Sequence, residues 1–318
     1  MVHVRVIAPP TLADAAHTAV RNHPTALNVV RLRGATERPA GDLILCDVAR
    51  EDASVLVSEL RDLGLEREGS IALEPISSLV SEAADRAEEV AAGSPADAVV
   101  WEQVETYTSE SAELSFSFLA FMVLATLIAA LGIVQDSQIL IIGAMVVGPE
   151  FGPLAGVCVA LVQRQRALAW RSFRALAIGF PLAIAAALGL AAILRATSSA
   201  PADLSAASHP ATLFISHPDE YSVLVALLAG VAGVLSLSTA KSGALIGVLI
   251  SVTTIPAAAN VGVAAAYGDW SEFRGALAQL AVNLVALVAA GFATLALQRV
   301  LYRRRHARMR HARAGLSS

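Results

Sequence analysis

The sequence predicts a small α+β domain followed by an all-α membrane domain of six helices. Three observations support this prediction. Over the first 76 residues, β-branched runs and helical stretches alternate in the order β-α-β-β-α-β, whereas residues 114–298 consist mainly of long apolar runs. The chain is 56% hydrophobic and 16% charged, against roughly 45–50% and about 25% in average soluble domains. The mean hydropathy is +0.62.

The predicted soluble domain covers residues 1–76. Its helices lie in TLADAAHTAVRNHP and in DASVLVSELRDLGL, where Val55, Leu56, Leu60 and Leu63 recur at helical spacing. Its strands are HVRVIAPP, LNVVRLRG, GDLILCDV and REGSIALEPI, and GATERPAGD is predicted as a turn. This element order is that of the ferredoxin-like split unit, which also underlies ACT-type regulatory domains. Such a fold serves docking as well as small-ligand sensing, so it leaves the role open.

A helical linker is predicted over residues 77–113. SSLVSEAADRAEEVAAG has the pattern of an amphipathic helix, and Ser94-Pro95 has the N-cap and first-position signature of a second helix. Trp101 and Tyr107 in that second helix are candidates for the level of the lipid headgroups. A solvated connector explains the same residues equally well.

Charge and cysteine usage exclude several classes of function. Residues 1–93 carry nine Arg against fifteen Asp and Glu, which argues against a nucleic-acid partner because binding nucleic acid needs a basic face. Cys46 falls in the soluble domain and Cys158 in an apolar run, and neither has metal-ligand or CxxC spacing. We therefore expect no disulfide, no metal and no cofactor.

Six apolar segments are long enough to cross a ~30 Å hydrocarbon core, which takes about 20 helical residues. They cover residues 116–134, 138–162, 174–194, 221–238, 243–267 and 276–298. The predicted membrane domain covers residues 114–300, and a basic tail follows over 301–318.

The basic residues predict the orientation. With the N-terminus inside, the inner connections and the C-terminal tail hold twelve Lys and Arg, whereas the outer connections hold two, Arg195 and Arg274. The N-terminal sequence also lacks the apolar core of a signal peptide. We therefore expect an inner-membrane protein with both termini in the cytoplasm and a tail that contacts anionic lipid.

The membrane domain contains an internal repeat. DSQILIIGAMVVGPEFGPLAG in the second span aligns with AKSGALIGVLISVTTIPAAAN in the fifth, and Phe173-Arg174 resembles Phe273-Arg274. The predicted repeats cover about 114–195 and 219–300. Each has three crossings, and because three is odd the second repeat should run opposite to the first.

Both aligned helices are interrupted near their centres. The first break holds Gly148, Pro149, Glu150, Gly152 and Pro153, and the second holds Thr253, Thr254 and Pro256, with Asn260 further on. Broken backbone at membrane depth is tolerated where protein or a wet cavity satisfies it. Paired breaks in two halves are the best pointer to a transporter-like site, so these residues are the candidate pathway or substrate site.

Glu150 is the distinctive residue of this candidate site. It lies about twelve residues from either end of its span, where a charged carboxylate costs several kcal/mol unless it is neutralised or solvated. It is therefore a candidate proton- or cation-linked group. The alternative is that Glu150 bonds a freed backbone group and holds the bend.

Other polar clusters carry weaker signals. His209, His217, Asp219 and Glu220 lie in a loop without tight metal-ligand spacing, and the chain has no HExxH, GxSxG, Walker A or GxGxxG sequence. We therefore expect no enzyme. Gly152-xxx-Gly156 and Gly243-xxx-Gly247 permit close helix packing, which together with a sheet that can pair predicts a homo-oligomer.

From Trp101 onward the chain resembles a family of bacterial and archaeal membrane proteins known as domain of unknown function 389. The resemblance rests on Gly143-Ala144-Met145 leading into Pro149-Glu150-Phe151-Gly152-Pro153, and it extends over about 101–300. It implies a multi-spanning membrane protein, sometimes with an added soluble domain, and no established activity.

Two functions are consistent with these observations. The first is a transporter or channel that passes a small solute or ion between the two repeats. The second is a membrane-anchored sensor or assembly scaffold whose cytosolic domain binds a ligand or oligomerises.

Overall fold

The computed structural model describes residues 1–91, 98–199, 201, 219–238 and 254–316. The chain divides into two compact units. The first is essentially Met1–Val104, and the second comprises Glu105–Leu237 with the described residues that follow.

The first unit contains a four-stranded antiparallel sheet in the order β2-β3-β1-β4. The strands are β1 (Val2–Ala8), β2 (Ala26–Glu37), β3 (Ala40–Val48) and β4 (Ser70–Pro75). Two helices, α1 (Ala13–Arg21) and α2 (Ala53–Asp62), and the short α3 (Leu65–Glu68) connect them. The predicted order of strands and helices is therefore present.

Alternation along the strands builds the core of this unit. Successive side chains of a strand point to opposite faces, and Val2, Val4 and Val6 of β1 are fully buried while Arg5 is exposed. They form one hydrophobic cluster with Leu56 of α2. Burial on one face explains why these apolar residues recur at every second position.

The hairpin between β2 and β3 is tighter than predicted. GATERPAGD is not a turn throughout, because β2 continues to Glu37 and pairs it with Ala40. A register shift between Leu32 and Thr36 accommodates the extra residues, as a β-bulge does. The Thr36 hydroxyl also donates to the Gly41 carbonyl over 3.0 Å.

The linker contains two helices, α4 (Glu82–Val90) and α5 (Trp101–Ser111). Ser81 caps α4 by accepting from the Ala84 amide. The predicted cap Ser94-Pro95 lies outside the described residues, and α5 begins at Trp101 rather than at Pro95. Val100 belongs to the core of the first unit, and the Trp101 amide donates to Ser54 Oγ over 3.1 Å, so the residues just before α5 are anchored in that unit.

The second unit is helical. Its described helices are α6 (Phe116–Val134), α7 (Gln138–Val147), α8 (Phe151–Gln163), α9 (Arg166–Ala196), α10 (Glu220–Ser238), α11 (Thr254–Tyr267) and α12 (Trp270–Leu316). Among the described residues, α6, α9, α10 and α12 each include a stretch long and apolar enough to cross a membrane, and α7 with α8 forms a fifth candidate bent by 49°. The predicted fifth span, 243–267, begins outside the described residues, and α11 is its remainder.

The helices of the two halves recur at a fixed interval. α10 begins 104 residues after α6, α11 ends 104 residues after α8, and α12 begins 104 residues after α9. The connection from α8 to α9 and the connection from α11 to α12 have the same spacing. Each has one residue with left-handed backbone, Arg164 with φ of 60° and Gly268 with φ of 74°, and these two are also 104 residues apart. Phe173-Arg174 and Phe273-Arg274 are instead 100 residues apart. The two Phe-Arg pairs, which the sequence predicted to correspond, therefore miss the 104-residue interval of the helices by four residues, or about one helical turn.

Two contacts fix the relative direction of α9 and α12. At the end of α9, the Arg195 guanidinium donates to the Ala266 carbonyl, just before α12 begins. Near the other end of α12, Arg299 donates to the Val162 carbonyl, just before α9 begins. The two helices therefore run in opposite directions.

Candidate functional site

The bend between α7 and α8 follows from three consecutive residues. Gly148 ends α7 in extended conformation, with φ of −62° and ψ of 128°, and Pro149 has no amide hydrogen to continue the helix. Glu150 then occupies the N-cap position of α8. The predicted broken helix is therefore present.

Glu150 joins this bend to the second predicted break. Its Oε1 accepts a hydrogen bond of 2.6 Å from Thr254 Oγ1, which lies at the start of α11. Glu150 is 4% exposed and Thr254 is fully buried. Glu150 Oε2 is buried and has no hydrogen-bond partner among the described residues. The structure thus brings together two residues that the sequence predicted from separate breaks.

Gly148 makes room for the carboxyl group. A Cβ atom at this position would lie 2.4 Å from Glu150 Oε2 and 2.7 Å from Ile255 Cγ1. Both distances are shorter than van der Waals contact. Only glycine therefore lets the carboxyl group pack against the end of α7 without a shift.

The remaining predicted residues occupy different surroundings. Gly152, Pro153 and Pro256 are buried in the first turns of α8 and α11. Asn260 does not reach Glu150, because its Nδ2 donates to Glu272 Oε2 of α12 over 3.1 Å. Thr253 lies outside the described residues.

A buried amide pair on α12 was not predicted. Gln279 and Asn283 are 1% and 2% exposed, and Gln279 Nε2 donates to Asn283 Oδ1 over 3.1 Å. The sequence contained a signal for them, namely two amide side chains at i and i+4 in an apolar span. On the same helix face one turn later, Leu287 packs in one cluster with Phe151, the residue after Glu150. The pair therefore lies about one turn of α12 from the surroundings of the bend.

The described residues contain no group of three or more His, Cys, Asp or Glu side chains placed to hold a metal ion. His209 and His217 of the loop lie outside them. Asp219 lies at the start of α10, and its Oδ1 accepts from the Ser222 amide and hydroxyl over 2.7 and 2.6 Å.

The first unit has a separate open groove between α1 and α2. Its volume is about 600 Å³, and its lining includes the acidic residues Asp14, Glu59 and Asp62. Glu51 lies two residues before the start of α2, and both of its carboxylate oxygens are buried without a hydrogen-bond partner among the described residues. Burial raises the pKa of Glu51, and the neighbouring Glu88 and Asp52 act in the same direction.

Comparison with known proteins finds a family that matches part of the second unit. The family described as "Domain of unknown function (DUF389)" matches residues 145–289, a segment that contains Glu150 and Thr254. "Uncharacterized protein MJ0678" of Methanocaldococcus jannaschii is 26% identical over 197 residues, which cover 59% of this chain and 56% of that protein. The chain thus spans about half the length of the curated relative that it matches. No solved structure matches the chain significantly.

The bend and the second predicted break therefore lie within the matched segment, and the resemblance predicted from the sequence is confirmed: residues 145–289 match the family described as DUF389.

Proposed function

We propose that this protein is a multi-pass membrane transporter or channel for a small solute or ion, which passes between two halves at their broken helices. The observation that carries the proposal is the hydrogen bond between Glu150 and Thr254. Ionisable residues inside membrane segments are rare and expensive, and they mark pathways and relays. Here such a residue links the observed bend to Thr254 of the second predicted break, 104 residues later.

An inverted repeat of three helices in each half supports this architecture. The interval of 104 residues between corresponding helices and the opposite directions of α9 and α12 are what inverted halves require. With that interval, Thr254 is the counterpart of Glu150. A contact between counterparts lies on the pseudo-twofold axis, which is where inverted-repeat transporters bind their substrates.

The soluble domain and the topology complete the proposal. The strand order β2-β3-β1-β4 with antiparallel neighbours is consistent with a ferredoxin-like domain. The excess of twelve basic residues over two predicts that this domain and both termini are cytoplasmic. The partners are the lipid bilayer and the transported solute or ion, and the proposal includes no catalytic step and no nucleic acid.

Homo-oligomerisation stays part of the proposal, but one of the glycine pairs that predicted it does not support it. A Cβ at Gly152 would lie 2.4 Å from Ser111 Cβ, and one at Gly156 would lie 2.4 Å from Ser172 Oγ. These two glycines thus pack against their own chain and cannot be the contact between copies. Gly243 and Gly247 lie outside the described residues, so within the described part of the chain the proposal rests on the sheet of the N-terminal domain.

The test is a flux measurement on the full chain in liposomes, across a panel of monovalent ions and small anions. Glu150→Gln keeps the size of the side chain and removes its charge, so it should change the flux or the pH dependence of the flux. Glu113→Gln, an exposed acid of the same unit, is the matched control and should behave as wild type.

A purely structural role of Glu150 gives a different pattern. In that case Glu150→Gln leaves flux and pH response unchanged, while Glu150→Ala destabilises the protein by about 1–3 kcal/mol because buried partners lose their hydrogen bonds. That pattern would refute the pathway role.

A membrane-anchored sensor or scaffold is the second candidate. The acidic groove between α1 and α2 favours it, because a concave surface of that size can accept a small cationic ligand. Flux that is absent from wild type with every ion of the panel, together with saturable binding of a polyamine probe to the full chain, would favour this candidate over transport.

A further inference from the structure

We propose that the ligand of Glu150 is a proton, and that passage between the two halves is coupled to its uptake and release. This inference rests on the proposed function and specifies the chemistry of the same site. Its basis is the surroundings of Glu150 Oε2, which differ from those of Oε1.

The two carboxyl oxygens have distinct neighbours. Oε1 accepts from the Thr254 hydroxyl over 2.6 Å. Gly148 lies beside Oε2, because a Cβ atom added to Gly148 would be 2.4 Å from Oε2. The same added atom would be 2.7 Å from Ile255 Cγ1. Oε2 is buried without a hydrogen-bond partner among the described residues. Oε2 thus lies beside Gly148, with the Ile255 side chain close to the same point.

These surroundings suit a proton better than a metal cation. Hard cations such as Mg²⁺ and Ca²⁺ take about six to eight oxygen ligands, whereas the described residues supply one side-chain hydroxyl at this carboxyl group. A proton needs no coordination shell. It converts the carboxylate into a neutral acid, which removes the cost of an isolated charge in apolar surroundings.

Thr254 is compatible with both protonation states. Its hydroxyl donates to Oε1 whether Oε2 carries a negative charge or a hydrogen atom. The proton can therefore come from water when the site faces one side and return to water when it faces the other, without loss of the bond that joins the two breaks.

The elements around the bend differ in the ionisable groups that they carry. α6 has no ionisable side chain. None of the ionisable groups on the other elements around the bend forms a hydrogen bond or an ion pair with Glu150 within the described part of the chain. They are Glu105, Tyr107 and Glu110 on α5, Arg166, Arg171, Arg174 and Arg195 on α9, Glu220 and Tyr221 on α10, Tyr267 on α11, and Glu272, Arg274, Arg299 and Tyr302 on the part of α12 whose side chains are described.

Cys158 is the second buried ionisable group of the described helices in this unit, and it has its own partner. Its Sγ donates to the Val288 carbonyl over 3.5 Å. A pH-dependent signal that disappears in Glu150→Gln would therefore report on Glu150.

The experiment is infrared difference spectroscopy of the full chain in phosphatidylcholine and phosphatidylglycerol vesicles between low and high pH. We expect a carbonyl band of a protonated carboxyl group that appears on acidification. It should be absent in Glu150→Gln, present in Glu113→Gln and shifted in frequency in Thr254→Val, which keeps the size of the side chain and removes the donated hydrogen bond.

Each other outcome overturns the proposal. A Glu150 band that is present at every pH identifies a permanently neutral brace, and its absence at every pH identifies a permanent carboxylate. A band that disappears on addition of Na⁺ at constant pH identifies a metal-cation site. This readout needs no flux, so a titrating band with no transport would refute the proposed function and leave the proton site intact.

Discussion

Gly148→Ala is the most direct test of how the bend holds Glu150. The backbone of Gly148, with φ of −62° and ψ of 128°, is in a region that alanine adopts freely. The substitution therefore adds no backbone strain. Its effect should come from the methyl group alone.

The size of the effect follows from two distances. The new methyl carbon would lie 2.4 Å from Glu150 Oε2 and 2.7 Å from Ile255 Cγ1, where ordinary contacts are about 3.5 Å or more. The Glu150 carboxyl group would have to move by about 1 Å. The methyl group itself cannot shift away from the carboxyl group, because Ile255 is also too close to it. We expect destabilisation of about 1–3 kcal/mol, as for other overpacked sites, and a weakened bond to Thr254.

Gly143→Ala is the matched control in the same helix. A Cβ at Gly143 meets no atom of the described residues within 4 Å, so alanine there should stabilise α7 by roughly 0.5–1 kcal/mol. Both variants can be compared by detergent-induced unfolding followed by circular dichroism.

A double-mutant cycle with Thr254→Val identifies the cause. If Gly148→Ala acts by displacing the carboxyl group from Thr254, it should cost less in the Thr254→Val background, with a coupling energy of at least about 0.5 kcal/mol. Additive effects, or a Gly148→Ala variant as stable as Gly143→Ala, would show that the carboxyl group is not held as described.

Three further predictions concern other parts of the chain. Thr254→Val should cost about 1–3 kcal/mol of unfolding free energy, because a buried carboxyl oxygen loses its donor; Thr126→Val, whose hydroxyl donates within its own helix to the Met122 carbonyl, should cost clearly less in the same detergent titration. Because burial raises the pKa of Glu51, its stabilising contribution is complete at low pH and is lost as the pH rises through the folded-state pKa; Glu51→Gln should flatten that decline in thermal unfolding, and an unchanged pH profile would contradict the assignment. In a cysteine-free background, a membrane-impermeant thiol reagent should label Ser205→Cys and spare Ser318→Cys in intact cells, and the reverse pattern would exclude cytoplasmic termini.

Periodicity predicted the soluble domain well. The strands of the first unit were recognisable because one face of the sheet is buried, so Val2, Val4 and Val6 alternate with more exposed residues. The end of β2 was missed, because Gly34 and Pro39 indicate a turn in sequence. The structure absorbs them in a bulged strand and a tight hairpin. Local residue preference could not reveal this, since the register comes from pairing with β3.

The sequence predicted which residues form the break, but it could not predict which of them contact one another. Gly148, Pro149 and Glu150 predicted a break because proline and glycine disrupt helices, and α7 and α8 do part there. The partner of Glu150 could not be singled out, since Thr253, Thr254 and Asn260 were equal candidates on composition. Only the packing of α11 against the bend selects Thr254.

The unequal lengths of the helices have a consequence for the proposed membrane domain. α6, with 19 residues, is about 28 Å long and matches a hydrocarbon core of ~30 Å. α9, with 31 residues, is about 46 Å long, and the part of α12 from Trp270 to Tyr302, with 33 residues, is about 50 Å long. Helices that exceed the local thickness tilt, protrude or thicken the bilayer around them. In the proposed inverted repeat, α9 and α12 are the final crossings of the two halves. Lipids with longer acyl chains should then make both helices more upright, and bilayer thickness would control the geometry between the halves.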